Sequence, residues 1–177
     1  MKLFHGSNME IGIVDLSKCM PNKDFGCGFY TTLLEEQAWR MAQRRTRITG
    51  GVPTVTVYEV PDNLVEIDEL RCRVFEDHPT IEWAVFVRNN RDRNFMDHAS
   101  PECNFDCKYD VVVGPVADDT VGLLLRQFSR GTIDIQYMKK ELDFGKFTNQ
   151  YTFHTEKSLK YLKKAGVIHD KQAAGND

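Results

Sequence analysis

The sequence predicts an α+β fold, a mixed β-sheet with flanking helices, and three observations carry that expectation. Thr54–Val60 alternates β-branched and polar residues, the pattern of a half-buried strand. Asp110-Val111-Val112-Val113-Gly114 is a short continuous apolar run, as in a strand covered on both faces. Leu34, Ala38, Met41 and Ala42 recur at i, i+4, i+7 and i+8, one face of an amphipathic helix. Strands and helices alternate without a regular βαβ rhythm, which separates this pattern from a doubly wound sheet. A chain of 177 residues suits one domain over residues 1–170, followed by a polar tail over 171–177.

The elements follow in order. Lys2–His5 reads as a strand, with Leu3 and His5 on one face and Phe4 on the other, and Gly6 permits a sharp exit. Pro21-Asn22 marks a turn. Thr32 and Glu35 form a capping-box pattern for the first helix, and Gly50-Gly51 ends the connection to the next element. Leu64–Ile67 is read as a strand after the turn at Pro61-Asp62-Asn63. Pro79 suits the first turn of a helix carrying Ile81, Ala84, Val85 and Arg88. Asn89–Asp106 has neither period. Asp118 or Asp119 caps a helix with Val121, Leu124, Leu125 and Phe128 inward, closed by Gly131. Another helix spans Ile133–Leu142, and Phe144–Asn149 is a loop. Gln150–His154 alternates as a strand, and Thr155 or Ser158 caps a last helix that Gly166 ends.

Composition narrows the function classes. The net charge of −3 gives no global attraction to nucleic acid or to anionic lipid. No apolar run approaches the ~20 residues of a membrane span, and the first residues lack a secretory core. Five cysteines at irregular spacings fit a reducing compartment better than a disulfide scaffold. The expectation is a cytoplasmic protein with no membrane partner.

The richest stretch is Asp24-Phe25-Gly26-Cys27-Gly28-Phe29-Tyr30-Thr31-Thr32, with aromatics and glycines packed just before a helix. Alternate glycines let the backbone bend or approach another group closely, and Tyr30 offers a flat face with a hydroxyl that needs a partner. Such a floor suits a planar ring; a tight turn whose aromatics fill the core is the plainer reading. Cys27 could be a nucleophile with His5, His98 or His154 as its base, but no cysteine-protease signature surrounds it. His98, Cys103 and Cys107, with Cys72, are spaced too loosely for a zinc knuckle, so no metal is expected. Gly26-x-Gly28 lacks the third glycine of a dinucleotide fingerprint. Arg40, Arg44, Arg45 and Arg47 give the first helix a basic end, either a solvated face or a patch for phosphates or an acidic acceptor. His154, Asp110 and Asp118-Asp119 read as structural residues.

His5-Gly6-Ser7, Gly28-Phe29-Tyr30-Thr31 and Gln150, in this order, resemble the ADP-ribosyltransferase superfamily. Tyr109–Asp119 and Gln150–Thr155 add a likeness to a small bacterial family with that fold and no assigned function, over roughly Leu3–Leu162. The resemblance implies a split mixed sheet with NAD as co-substrate in the cleft between its halves. In the His–Tyr subgroup the histidine contacts the adenosine ribose, the next glycine's backbone holds the nicotinamide amide, and the tyrosine stacks on the ring. These roles fall on His5, Gly6 and Tyr30, with Ser7, Phe29 and Thr31 around them.

The third motif departs from the pattern. Most active transferases carry glutamate there, and this chain carries Gln150. Glutamine can bond a ribose hydroxyl but brings no negative charge to the oxocarbenium-like transition state of glycosidic cleavage. Three readings stay open: Gln150, with His5 and Tyr30, supports a slower reaction; Glu156 or Glu141 enters the site; or the fold is a non-catalytic NAD or ADP-ribose binding module. The expected acceptor of ADP-ribose is a protein or nucleic acid. A neighbouring inhibitor protein would be a partner if the chain acts as a toxin, as superfamily members often do. A tRNA 2′-phosphotransferase-like enzyme is a further alternative, opposed by the acidic balance.

Overall fold

The computed structural model describes residues 1–116, 119–142 and 147–169. The strands are β1 (Lys2–Ser7), β2 (Phe29–Thr32), β3 (Thr54–Glu59), β4 (Cys72–Val74), β5 (Val111–Pro115), β6 (Asn149–Phe153) and β7 (Lys163–Ile168). The helices are α1 (Glu35–Thr49), α2 (Ile81–Arg91), α3 (Asp119–Ser129), α4 (Ile135–Leu142) and α5 (Glu156–Leu159). All seven strands join one mixed sheet in the order β4-β5-β6-β2-β1-β3-β7. β4 and β5 run parallel, and every other neighbouring pair is antiparallel. The expected α+β class with flanking helices is what the chain forms.

Both faces of the sheet are covered, which explains the unbroken Val111-Val112-Val113 run. Val112 packs with Phe25, Trp83, Phe86, Val121, Leu125 and Met138 under α2, α3 and α4. Val111 and Val113 pack on the other side with Leu3, Phe29, Tyr58, Leu64 and Phe153. All three valines are almost fully buried, each stabilising the fold by roughly 1.5 kcal/mol or more. A separate cluster holds α1 on the sheet through Ala38, Trp39 and Ala42, against Val55 and Phe4.

Register and alternation sort the faces. Phe4 pairs with Thr32, Thr32 with Gln150, and Gln150 with Gly114, one row across four strands. Tyr30 pairs with Thr152, and Thr152 with Val112, in the next row. Since directly opposed residues share a face, Phe4, Tyr30 and Gln150 all lie on the helical side. On that side α1 covers β1 and β3, while α2–α4 cover β5 and its neighbours. The seam between the two helical groups falls at the β1–β2 junction.

Several expected elements differ. Leu64–Glu66 is a 3₁₀ turn, not a strand, with Leu64 fully buried under the sheet. Cys72–Val74 is a strand that no alternation announced; three residues are too few to show a period. The last helix stops at Leu159, and Lys163–Ile168 forms an edge strand on β3. Its Lys-Lys-Ala-Gly sequence is polar because edge strands tolerate lysine. Val57 pairs with Gly166 and Tyr58 with Lys164, so Ala165 is the extra residue of a bulge.

The capping box at Thr32 and Glu35 does not form: Leu34 is the N-cap, and the Thr32 hydroxyl accepts from Leu34 N and donates to Gln37. Leu34 and Met41 are exposed, and Trp39 takes the buried place beside Ala38 and Ala42. Thr80 caps α2, leaving Pro79 outside it. Asp118, residues 143–146 and the tail over 171–177 lie outside the described residues.

Candidate functional site

The site begins where a ladder breaks. β1 keeps six registered pairs with β3, from Lys2–Glu59 to Ser7–Thr54, but one with β2, Phe4–Thr32. Continued, that ladder would set Gly6 opposite Tyr30. Instead the His5 imidazole crosses the gap, with Nδ1 2.7 Å from the Tyr30 carbonyl oxygen. A carbonyl only accepts, so Nδ1 carries the hydrogen. Burial lowers the His5 pKa below its ordinary 6.5, against the Tyr30 bond that raises it. The ring is therefore neutral at pH 7 and has Nε2 as an acceptor. Its plane stacks on Phe29, centroids 4.3 Å apart.

Gly6 is fixed by α1. A Cβ there would overlap the Ala38 carbonyl oxygen and stand 2.9 Å from Ala42 N. The helix backbone thus rides directly on the strand beside the seam, and only glycine allows it. Ser7 Oγ donates to Asn8 Oδ1 at 3.4 Å.

The Asp24–Thr32 stretch is pinned from several sides. Gly26 takes φ +90°, a conformation that favours glycine. Phe25 is fully buried in the helical core. Gly28 faces His154, whose Nδ1 would stand 2.7 Å from an added Cβ. Phe29 is buried on the opposite face, supporting His5 from behind. Tyr30 is half-buried, and its hydroxyl donates to Gly26 O at 2.7 Å while accepting from Phe25 N at 3.0 Å. Both bonds lock the ring; desolvation foremost pushes its pKa well above 10. Thr31 is buried, with its hydroxyl donated to Tyr151 O.

Gln150 is buried on the same face, one row from Tyr30. Its Nε2 lies 3.3 Å from Asp24 Oδ2 and 3.5 Å from Pro115 O. Asp24 in turn holds Arg91 of α2 through Oδ1, at 2.9 Å to Nε and 2.7 Å to Nη2. Asp24 is thus the carboxylate that meets Gln150, and neither position 24 nor Arg91 stood out as chemistry in the sequence. Glu141 and Glu156, the acids offered for that place, are both exposed, and Glu156 lines a separate 340 Å³ pocket with Leu159, Lys160 and Lys164. A second pocket, 520 Å³, lies between Val74 and Leu142 and includes none of the expected site residues.

The other candidates fall elsewhere. Burial raises the Cys27 pKa, so the thiolate a nucleophile needs is disfavoured. Its Sγ lies 3.4 Å from Cys19 O, and no histidine ring bonds it among the described residues. Among the described residues no three metal-ligating side chains gather, and Cys72, Cys103 and Cys107 are free thiols. Arg40, Arg44, Arg45 and Arg47 are exposed on α1, away from its buried face. The guanidinium that reaches the Gln150 cluster is that of Arg91, through Asp24.

The family model described as protein of unknown function (DUF3990) matches residues 1–164. The chain belongs to that family. The match runs from β1 into β7, so this DUF3990 chain carries His5, Tyr30, Asp24 and Gln150 all within the family's span. No curated protein matches it. Among the described residues no helix is long and apolar enough to cross a membrane.

Proposed function

We propose that this chain binds NAD at the β1–β2 seam and transfers its ADP-ribose to a macromolecular acceptor. The observation that carries the proposal is the broken ladder: where β1 and β2 stop pairing, the His5 ring bonds the Tyr30 main-chain carbonyl next to Gly6, and these three are the residues of the resemblance. Gly6, whose Cβ side is filled by the α1 backbone, has its main-chain edge on the β2 side at the seam, and that edge is the group the resemblance assigns to the carboxamide of nicotinamide. Tyr30 supplies a flat ring whose orientation two hydrogen bonds fix. The neutral His5 supplies Nε2 for a ribose hydroxyl.

In the reaction the bond between nicotinamide nitrogen and ribose C1′ breaks, and nicotinamide leaves with the electron pair. The acceptor's nucleophilic atom then bonds C1′ and loses its proton. Fixed nicotinamide and ribose convert part of the entropic barrier into prior binding. Gln150 contributes a dipole rather than a charge, and this favours slow turnover.

Incubation with NAD tests the reading, with free nicotinamide and labelled macromolecules as readouts. We expect nicotinamide release that falls at least ~10-fold in a folded Tyr30→Ala protein. NAD binding with no release at all would replace the transferase with a binding module, the alternative that the neutral Gln150 motivates. An absence of NAD binding would end both.

A further inference from the structure

The Gln150 amide is held in one orientation by groups that can only accept. Asp24 Oδ2 and Pro115 O both face its nitrogen end, at 3.3 and 3.5 Å. A carboxylate and a carbonyl have no hydrogen to give, so Nε2 must lie on this side and both its hydrogens turn inward. Asp24 cannot swing away freely, because Arg91 grips its other oxygen with two nitrogens. Pro115 O is fixed as well, by Trp83 Nε1 at 3.1 Å. What Gln150 has left is Oε1, an acceptor.

We propose that Asp24, clamped by Arg91, is a positioning residue that holds Gln150 with its amide oxygen toward the ligand, to accept from a ribose hydroxyl. This rests on the NAD reading above. It also explains why position 150 is not glutamate. A carboxylate there would stand against the Asp24 carboxylate, both unable to donate and both charged. The carboxylate that glutamate would bring on β6 stands instead on the loop before β2, and glutamine relays it as an oriented dipole.

The pair makes a reversal test. Gln150→Glu alone sets two acceptors face to face. Asp24→Asn combined with Gln150→Glu reverses the polarity of the same bond, with the amide at position 24 donating and the carboxylate at position 150 accepting. Calorimetric titration with NAD should show Gln150→Glu binding about tenfold more weakly than wild type, the scale of one charge-assisted hydrogen bond, and the double variant returning to within about threefold. Melting temperatures read the pair without ligand. Gln150→Glu should melt further below wild type near pH 8 than at acid pH, because two facing carboxylates repel only when both are charged, and the double variant should lose that difference.

Gln150→Glu that binds NAD as well as wild type, or a folded double variant no better than the single one, overturns the positioning role. A Gln150→Glu melting deficit that ignores pH overturns it too, whatever NAD does. Wild type that fails to bind NAD while the melting pattern holds overturns the NAD reading, and with it the ribose hydroxyl as ligand, but leaves the Asp24–Gln150 orientation standing.

Discussion

Burying His154 as a neutral ring makes the stability of this protein depend on pH. The residue is 4% exposed, and its Nδ1 lies 2.8 Å from the Cys27 carbonyl, so Nδ1 carries the hydrogen. Nε2 is buried with no partner among the described residues. Desolvation pushes the pKa down to about 4, against the Cys27 bond and the Asp110 charge, which raise it. In the unfolded chain the ring titrates near ~6.5. Between those values the unfolded chain binds a proton that the folded protein refuses, so stability falls as pH drops through the window and the loss levels off below about 4. The separation is worth roughly 3 kcal/mol. His154→Asn keeps a donor for Cys27 and removes the titration. Urea unfolding at about pH 7, 5.5 and 4.5 should show the variant gaining on wild type by about 2–3 kcal/mol across the range. His5, also depressed, is present in both proteins and cancels in the difference. Parallel stability curves within about 0.5 kcal/mol would refute a neutral buried His154.

Two further substitutions test the frame of the site. Gly6→Ala places a methyl inside the Ala38 carbonyl oxygen, a backbone atom that cannot move alone; we expect a loss of about 2–4 kcal/mol in thermal or urea unfolding, and a cost under about 0.5 kcal/mol would mean that α1 is not seated on β1. Thr152 is fully buried beside Tyr30, and its Oγ1 has no partner among the described residues. Thr152→Val should therefore stabilise by about 1 kcal/mol in the same assay, and a clear loss would show that the hydroxyl has a partner in solution.

What the sequence made legible was periodic or local. Thr54–Val60 and the valine run around Val112 announced their strands because burial on one face or both leaves a pattern in residue type. β4 and β7 left none: one is three residues long, and the other is an edge strand rich in lysine. α1 misled in detail because alanine and tryptophan, not leucine and methionine, face the sheet where the helix must approach Gly6 closely. His5, Gly6 and Tyr30 were legible as motifs, and the seam joins them. The Asp24–Arg91–Gln150 cluster was not. Its members stand 67 and 126 residues from Asp24, and no spacing rule connects a loop, a helix end and a strand that only the tertiary fold brings together.

The seam itself needs a reason to stay open, since an unpaired strand edge invites pairing. β1 commits its full length to β3, which fixes it on that side. On the β2 side, the His5 ring satisfies the Tyr30 carbonyl that a continued ladder would otherwise serve. Gly6 lies hard against α1 on one face, while His5 stacks on Phe29 on the other. Closing the ladder would require displacing the His5 side chain from between the strands. The His5 ring thus occupies the place of a ladder bond through Nδ1 and keeps Nε2 as an acceptor.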